Sequence, residues 1–311
     1  MGYHRRQEVN FTSVVEFVLL GFSDIPNLQT FLFVMFLIIY VIILIGNGVI
    51  ILLTRVDQAL QTPMYFFLSN LSFLEICYVS ATLPLMLVNL WTSKGNILLF
   101  ACAVQMCFVL MLGGTECLLL TVMAYDRYVA ICYPLQYPLI MNHKVCSHLV
   151  VFSWLSGVPV EIGQTFQIFS LPFCGSNQIN HFFCDIPPIL RLACGDTYVN
   201  ETLVFTVAVL FVLIPFVLIL GSYKKIISTV WRLPSAAGRA KACSTCSSHI
   251  TVVVLFFGSA IITYLRPTSQ HYSRTDKFLS LFYTVATPLL NPMIYTLRNK
   301  DVMVALKKLV H

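Results

Sequence analysis

Charge is the scarcest feature of this sequence. Of 311 residues, Lys, Arg, Asp and Glu make up 10%, while 58% are hydrophobic and the mean hydropathy is +0.83. A soluble domain carries roughly 25% charged residues, so a water-covered globule is excluded. A disordered chain is excluded too, because disorder requires high charge and few apolar side chains. Catalytic signatures are missing: there is no G-x-x-x-x-G-K-[ST] phosphate loop, no G-x-S-x-G turn and no H-E-x-x-H pair. No enzymatic activity is therefore expected. No signal-peptide pattern precedes the first long apolar run, near Phe31, so that run is expected to direct insertion itself. There is also no internal repeat of the kind that builds transporters. The net charge of +6 is scattered between apolar runs. That fits loops on the inner side of a bilayer, and not a nucleic-acid partner.

What is present is a series of seven apolar runs, at 31–53, 63–90, 97–123, 149–169, 203–223, 242–265 and 278–297. Each is near the length of about 20 residues that crosses a bilayer as a helix. An odd number of crossings puts the termini on opposite sides. With the N-terminus outside, twelve of the nineteen Lys and Arg residues fall on inner segments and seven on outer ones. Asn10-Phe11-Thr12 is a glycosylation sequon, usable only on the lumenal side, and supports the same orientation. The second sequon, at Asn200, lies close to a span. The expected fold is an all-α membrane protein, one seven-helix bundle over 29–297. An extracellular tail, 1–28, precedes it, and a cytoplasmic tail, 298–311, follows. In the second tail Val302, Leu306, Leu309 and Val310 share one face of an amphipathic helix, beside Lys307 and Lys308.

Polar groups inside a membrane are costly and usually functional. Counting 1.5 Å per helical residue places Glu75 about 18 Å, and Glu116 about 16 Å, from the inner ends of neighbouring spans. Asn47 and Asn291 fall in the same layer, roughly 12 and 10 Å in. Two acids that close do not both stay ionised without a partner. Two readings stand: a Na⁺ or proton site that biases the bundle, or a neutral hydrogen-bonded pair that orients helices. Glu161 has no partner identifiable at its depth and is expected to be protonated and structural. A rival function follows from the same acids, a cation channel or ion-coupled transporter using Glu75 and Glu116. The sparse remaining membrane charge argues against it.

Eleven cysteines are present. Cys102, Cys174, Cys184 and Cys194 fall on the outer, oxidising side, enough for two disulfides with three pairings open. Cys243-x-x-Cys246-x-x-His249 has the spacing of metal ligands, but it faces a reducing compartment and lacks a fourth ligand, so the structural reading is preferred. His181-x-x-Cys184 is read the same way.

At the inner end of the third span stands Met123-Ala-Tyr-Asp-Arg-Tyr-Val-Ala-Ile-Cys132, with Asp126 and Arg127 expected as an ion pair at the membrane boundary. This stretch resembles the DRY region of rhodopsin-like G-protein-coupled receptors, in the form found in olfactory receptors. Other segments agree in order: Gly46-Asn47, Pro63-Met-Tyr-Phe-Phe-Leu-Ser69, Lys241-Ala-Cys-Ser-Thr-Cys-Ser-Ser-His249 and Pro292-Met-Ile-Tyr-Thr-Leu-Arg-Asn299. Together these motifs cover the whole chain. Glu75 stands where that family more often has Asp, Phe257 where it has Tyr, and Cys243 where it has Phe.

The resemblance implies a receptor for a small volatile odorant, signalling through a stimulatory olfactory-type heterotrimeric G protein to cyclic AMP. It implies a multi-pass protein of the plasma membrane, in olfactory sensory cilia. It favours Cys102–Cys184 with Cys174–Cys194, the runner-up being Cys102–Cys194 with Cys174–Cys184. Asp126, Arg127, Tyr128, Tyr223, Asn291, Pro292 and Tyr295 are assigned to activation and coupling. No cofactor is expected beyond an allosteric Na⁺ at Asn47, Glu75, Glu116 and Asn291.

The family's ligand is expected in the outer half of the bundle. On the third span Met106, Val109, Leu110, Gly113 and Gly114 share one helical face. Val207 and Phe211 from the fifth span, with Phe257, Ala260 and Tyr264 from the sixth, are added to the lining. Leu281 and Thr284 join them by counting back from Pro292. Such a lining is apolar, with Tyr264 and Thr284 as its hydrogen-bonding groups and no charge. A small, neutral, largely apolar ligand is expected.

Overall fold

A computed structural model describes residues 14–22, 26–92, 94–174, 176–232, 236–265, 274–297 and 300–310. Long apolar sequence forms three unbroken helices, α1 (Gln29–Val56), α2 (Pro63–Thr92) and α3 (Leu99–Cys132), although Pro84 lies inside α2. Pro63 opens α2, where its missing amide costs nothing. A short inner helix, α4 (Tyr137–Ile140), leads to the fourth span, which is split into α5 (His143–Leu155) and α6 (Val158–Phe169). Asn142 caps α5, its side chain accepting a 3.1 Å bond from the Val145 amide. The break at Ser156-Gly157 precedes Pro159, which has no amide to continue the helix.

A one-turn helix, α7 (Ile186–Leu190), lies in the long outer loop. The fifth span joins α8 (Tyr198–Ala208) to α9 (Ile214–Trp231) through a wide π-helical turn, Val209–Leu213. The sixth is α10 (Ala236–Tyr264). The seventh joins α11 (Arg274–Leu281) to α12 (Thr287–Leu297) through a second π-helical turn, Phe282–Ala286, and α13 (Lys300–Val310) follows it. Among the described residues, six of the spans are long and apolar enough to cross a membrane, and the seventh contributes a shorter apolar stretch, Leu279–Ile294. Exposed Phe31, Ile38, Ile45, Phe166 and Val217 point outward, where hydrocarbon is the fitting solvent.

The inner core is formed where α1 packs on α2, α2 on α3 and α3 on α9. Gly46 sets the distance between α1 and α12, because a Cβ there would sit 3.3 Å from the Pro292 ring. At the outer end a second core gathers Phe17, Ile97, Met106, Ile179 and Ile189 around Cys102 and Cys184. Three strands, β1 (Glu16–Leu19), β2 (Asn96–Leu98) and β3 (Gln178–Ile179), form a sheet in the order β2-β1-β3. β1 runs antiparallel to β2 and parallel to β3. Residues expected only as an outer tail thus include the central strand of a cap. Gly95 permits the close approach, since any Cβ there would collide with the Leu19 backbone.

The disulfides are Cys102–Cys184, with Cα atoms 5.5 Å apart, and Cys174–Cys194, at 5.8 Å. This is the pairing the resemblance favoured. At the other end α13 buries Val302 and Ala305 while Lys307 and Lys308 stay exposed, as its amphipathic pattern requires. Lys308 Nζ donates to Asp57 Oδ2 at 3.3 Å. The Ala59 amide, first, and then Lys308 hold the Asp57 carboxyl below its ordinary range. Asn10 and the side chains of Leu309 and Val310 lie outside the described residues.

Candidate functional site

Helices α3, α6, α8 and α10, with the π-helical turn Val209–Leu213, leave a cavity beneath the loop that carries α7. Val109, Leu110, Gly113 and Gly114 form its α3 wall. A Cβ at Gly113 would meet nothing within 4 Å, while one at Gly114 would lie 3.5 Å from the Phe211 ring. Gly113 therefore supplies volume, and Gly114 lets Phe211 approach. Val207 and Phe211 from the fifth span face this wall, with Ala260 and Tyr264 from the sixth.

The lid is fixed by Asp185, which is buried. Its carboxylate accepts hydrogen bonds from Tyr264 Oη and Tyr283 Oη, both at 2.9 Å, and from the Ile186 amide at 2.8 Å. One acid thus caps α7 and ties the loop to the sixth and seventh spans. On the other side the Cys184 amide donates to Gln105 Oε1 on α3 at 3.0 Å, next to the disulfide.

Two polar side chains of α6, Glu161 and Gln164, also line the cavity. Both are buried, and neither Glu161 Oε2 nor Gln164 Nε2 has a hydrogen-bond partner among the described residues. The expectation of a lining without charged side chains is corrected here. Spacing of i, i+3 puts both on one helical face, and that face turns inward.

Deeper in the bundle, Asn47, Glu75, Glu116 and Asn291 are buried together. Asn291 Nδ2 donates to Glu75 Oε1, and the Glu75 and Glu116 carboxyls lie within hydrogen-bonding reach of each other. Asn47 Nδ2 donates to the Ile43 carbonyl at 3.0 Å and the Pro288 carbonyl at 3.4 Å. Four buried oxygens have no donor beyond any proton shared between the two carboxyls: Asn47 Oδ1, Glu75 Oε2, Glu116 Oε1 and Asn291 Oδ1. A set of oxygen acceptors, two of them carboxylates, is the donor chemistry that suits a hard cation or a shared proton.

At the inner end Asp126 accepts a 2.8 Å hydrogen bond from Tyr137 Oη on α4. Burial, followed by the Asp126 charge, pushes the Tyr137 hydroxyl above its usual range, so it keeps the proton it donates. Asp126 and Arg127 make no ion pair with each other among the described residues, contrary to expectation. Adjacent residues on a helix point about 100° apart and do not face one another. Arg127 still lies in the electrostatic neighbourhood of Asp126, and also in that of Cys246 and His249 on α10. Tyr223 Oη shares a 2.8 Å hydrogen bond with His249 Nδ1, linking the fifth and sixth spans. Tyr128 Oη donates to Tyr133 Oη at 3.4 Å.

Comparison with known proteins settles the family. The olfactory receptor family profile matches residues 36–311. The chain belongs to the olfactory receptor family. Human olfactory receptor 10AG1 is 67% identical over 296 residues, covering 95% of this chain and 98% of its own. Human olfactory receptors 10A4 and 10C1 are 54% and 53% identical, each covering 97% of this chain and 96% of their own. The crystal structure of squid rhodopsin superposes with a TM-score of 0.74 at 20% identity, over 91% of this chain and 80% of that one. The fold is thus the rhodopsin-like seven-helix bundle, and the family is not an enzymatic one.

Of the residues assigned to the odorant receptor's pocket from sequence, Val109, Leu110, Gly113, Gly114, Val207, Phe211, Ala260 and Tyr264 line the cavity. Four do not. Met106 belongs to the outer core around the disulfide. Phe257 is fully buried between Phe216 and Phe256, their ring centroids 5.6 and 5.4 Å away, and Phe256 takes the place at the wall. Leu281 packs against the inner core. Thr284 donates back to the Ser280 carbonyl, while Tyr283 reaches the cavity. The π-helical turn at Phe282–Ala286 displaces the face that regular counting from Pro292 predicts. Pro292 is buried against Gly46, and the Tyr295 side chain lies outside the described residues.

Proposed function

We propose that this olfactory receptor binds a small neutral odorant in the cavity between α3, α6, α8 with the π-helical turn that follows it, and α10. We further propose that it couples to a stimulatory olfactory-type G protein, raising cyclic AMP. The observation that carries this reading is the position of the cavity, walled by apolar side chains and closed by a loop whose Asp185 holds both the sixth and seventh spans. An agonist that packs better when α10 is displaced shifts the population toward that state. The Tyr223–His249 bond then marks the contact between α9 and α10 that must move or part. Arg127, beside α10, becomes accessible at the inner face to the G protein.

The mid-membrane layer is proposed to hold one Na⁺ between Asn47, Glu75, Glu116 and Asn291, supported by its four buried acceptor oxygens. Replacing external Na⁺ with choline is expected to raise basal signalling, or agonist potency, by several-fold. If replacement changes neither, a proton shared by the two carboxyls is the better account. Asn10 is proposed to carry a glycan, and the receptor to work in the ciliary plasma membrane.

The deciding assay is cyclic AMP in cells expressing surface-verified wild type or Arg127→Ala, against neutral and charged volatiles. Responses to neutral compounds that vanish in the variant at equal surface level are expected. Ligand-evoked current in cells lacking G-protein signalling would overturn the reading in favour of an ion channel.

A further inference from the structure

The two polar side chains in the cavity wall ask for an explanation. Glu161 and Gln164 are 4% and 2% exposed, yet Glu161 Oε2 and Gln164 Nε2 have no partner among the described residues. Nearly all buried polar groups in proteins are satisfied, and those that are not mark a functional site or a missing partner. The Tyr264 and Tyr283 hydroxyls at the wall both donate to Asp185, and Tyr78 and Cys117 also border the cavity. Among the described lining residues, the buried polar atoms left without a partner thus lie on one face of α6. Opposite it stand Val109, Leu110, Val207 and Phe211, which offer only apolar contact.

The chemistry of the pair selects what fits. An amide nitrogen donates and cannot accept, while a carboxylate accepts and cannot donate. One hydroxyl answers both, its proton going to Glu161 and its lone pair accepting from Gln164. An ammonium has no lone pair for Gln164. A ketone or ether only accepts, so it suits Glu161 only when that carboxyl carries its proton, whereas a hydroxyl suits either state. A hydroxyl also remains compatible when Glu161 is protonated, since it then accepts where it had donated.

We propose that Glu161 and Gln164 are the polar anchor of the odorant cavity, and that the receptor's preferred odorants are small apolar alcohols. The inference rests on the assignment of the cavity as the odorant site and names the chemical class that site takes.

The test uses the full-length receptor in cells, with surface labelling. The probes are 1-octanol and cyclohexylethanol, the methyl ether of each, 2-octanone and octylamine. Wild type is expected to favour each alcohol over its ether by at least about tenfold in potency, the range of one good hydrogen bond to a charged group. Glu161→Leu and Gln164→Leu should each erase that preference. Glu161→Gln, which keeps both a donor and an acceptor and nearly the same shape, should retain most of it and guards against misfolding. Absence of any alcohol response in wild type overturns the proposal. So does an alcohol preference that survives both leucine variants, which would mean that buried water satisfies the pair instead. Phe211→Ala separates this failure from that of the underlying reading. If a non-alcohol activates and Phe211→Ala weakens its response, the cavity stands as the site and only the alcohol assignment falls. Activators indifferent to Phe211→Ala would remove the cavity itself.

Discussion

Substituting Gly113 by Ala sets receptor stability against ligand size. A Cβ built at this position meets nothing within 4 Å, and the open space beside it is the cavity. Removing a glycine from a helix interior stabilises by about 0.5–1 kcal/mol. With no steric cost to offset it, the gain should appear as a rise in melting temperature of about 2 °C. The new methyl takes space from the ligand. One methylene of fit in an apolar pocket is worth about 1–3 kcal/mol, or 10–200-fold. In a series of straight-chain alcohols the longest active member should lose at least about tenfold in potency, while the member one carbon shorter is unchanged. Thermal denaturation of the solubilised receptor and dose–response curves in cells measure the two arms separately. A fall in melting temperature would refute the reasoning, because it would show that another helix uses the space at Gly113. An equal loss across the series would refute it as well, because it would place the effect outside the cavity.

Tyr264→Phe and Tyr283→Phe should each destabilise by about 1.5–3 kcal/mol, the range for a hydrogen bond to a charged group. The double variant should cost more than the sum, since Asp185 would keep only the Ile186 amide; strict additivity in thermal denaturation would count against a shared role. Gly95→Ala should release β1 from β2, seen as fast hydrogen exchange of the Leu19 amide, which bonds to the Gly95 carbonyl at 2.8 Å. Gly48→Ala, where a Cβ meets nothing, serves as the control and should leave that exchange unchanged. For Asp57, a carboxyl with a lowered native pKa stabilises α13 above its unfolded value and loses that contribution as pH falls through the native one. Exchange in α13 should therefore quicken below about pH 4, and Asp57→Asn should abolish the dependence; an unchanged profile in the variant would argue that other carboxyls are responsible.

The seven spans and the polar layer at Glu75, Glu116, Asn47 and Asn291 were readable because a membrane makes both signals strong: long apolar runs, and rare polar residues within them. The α3 wall was readable because α3 is a regular helix over its whole length, so spacing alone places Val109, Leu110, Gly113 and Gly114 on one face. Where the helix is not regular the count fails, as at Leu281 and Thr284, because no residue announces a π-helical turn. Glu161 and Gln164 do carry a signal, two polar residues three apart in an apolar run, but which way their shared face turns depends on how α6 packs. The Asp126–Tyr137 bond joins a helix to a loop whose path depends on packing, so its partners could not be read from spacing. β1 was equally hidden, since a four-residue strand has no period to detect and its partners lie far away in the chain.

That distance has a consequence for how the molecule is made. Glu16 pairs with Leu98, and Val18 with Gln178, so the central strand of the cap is synthesised 82 and 160 positions ahead of its two neighbours. At about 5–20 residues per second, β1 waits roughly 8–32 s for its second partner. During that interval the edge of β1 that pairs with β3 is open, and the outer core around Phe17 lacks Ile179 and Ile189. The disulfide between Cys102 and Cys184 likewise cannot close until the fourth span has been inserted. The lid is therefore the late-folding part of this receptor, and a chain stalled before residue 178 exposes the open edge that a quality-control chaperone would recognise.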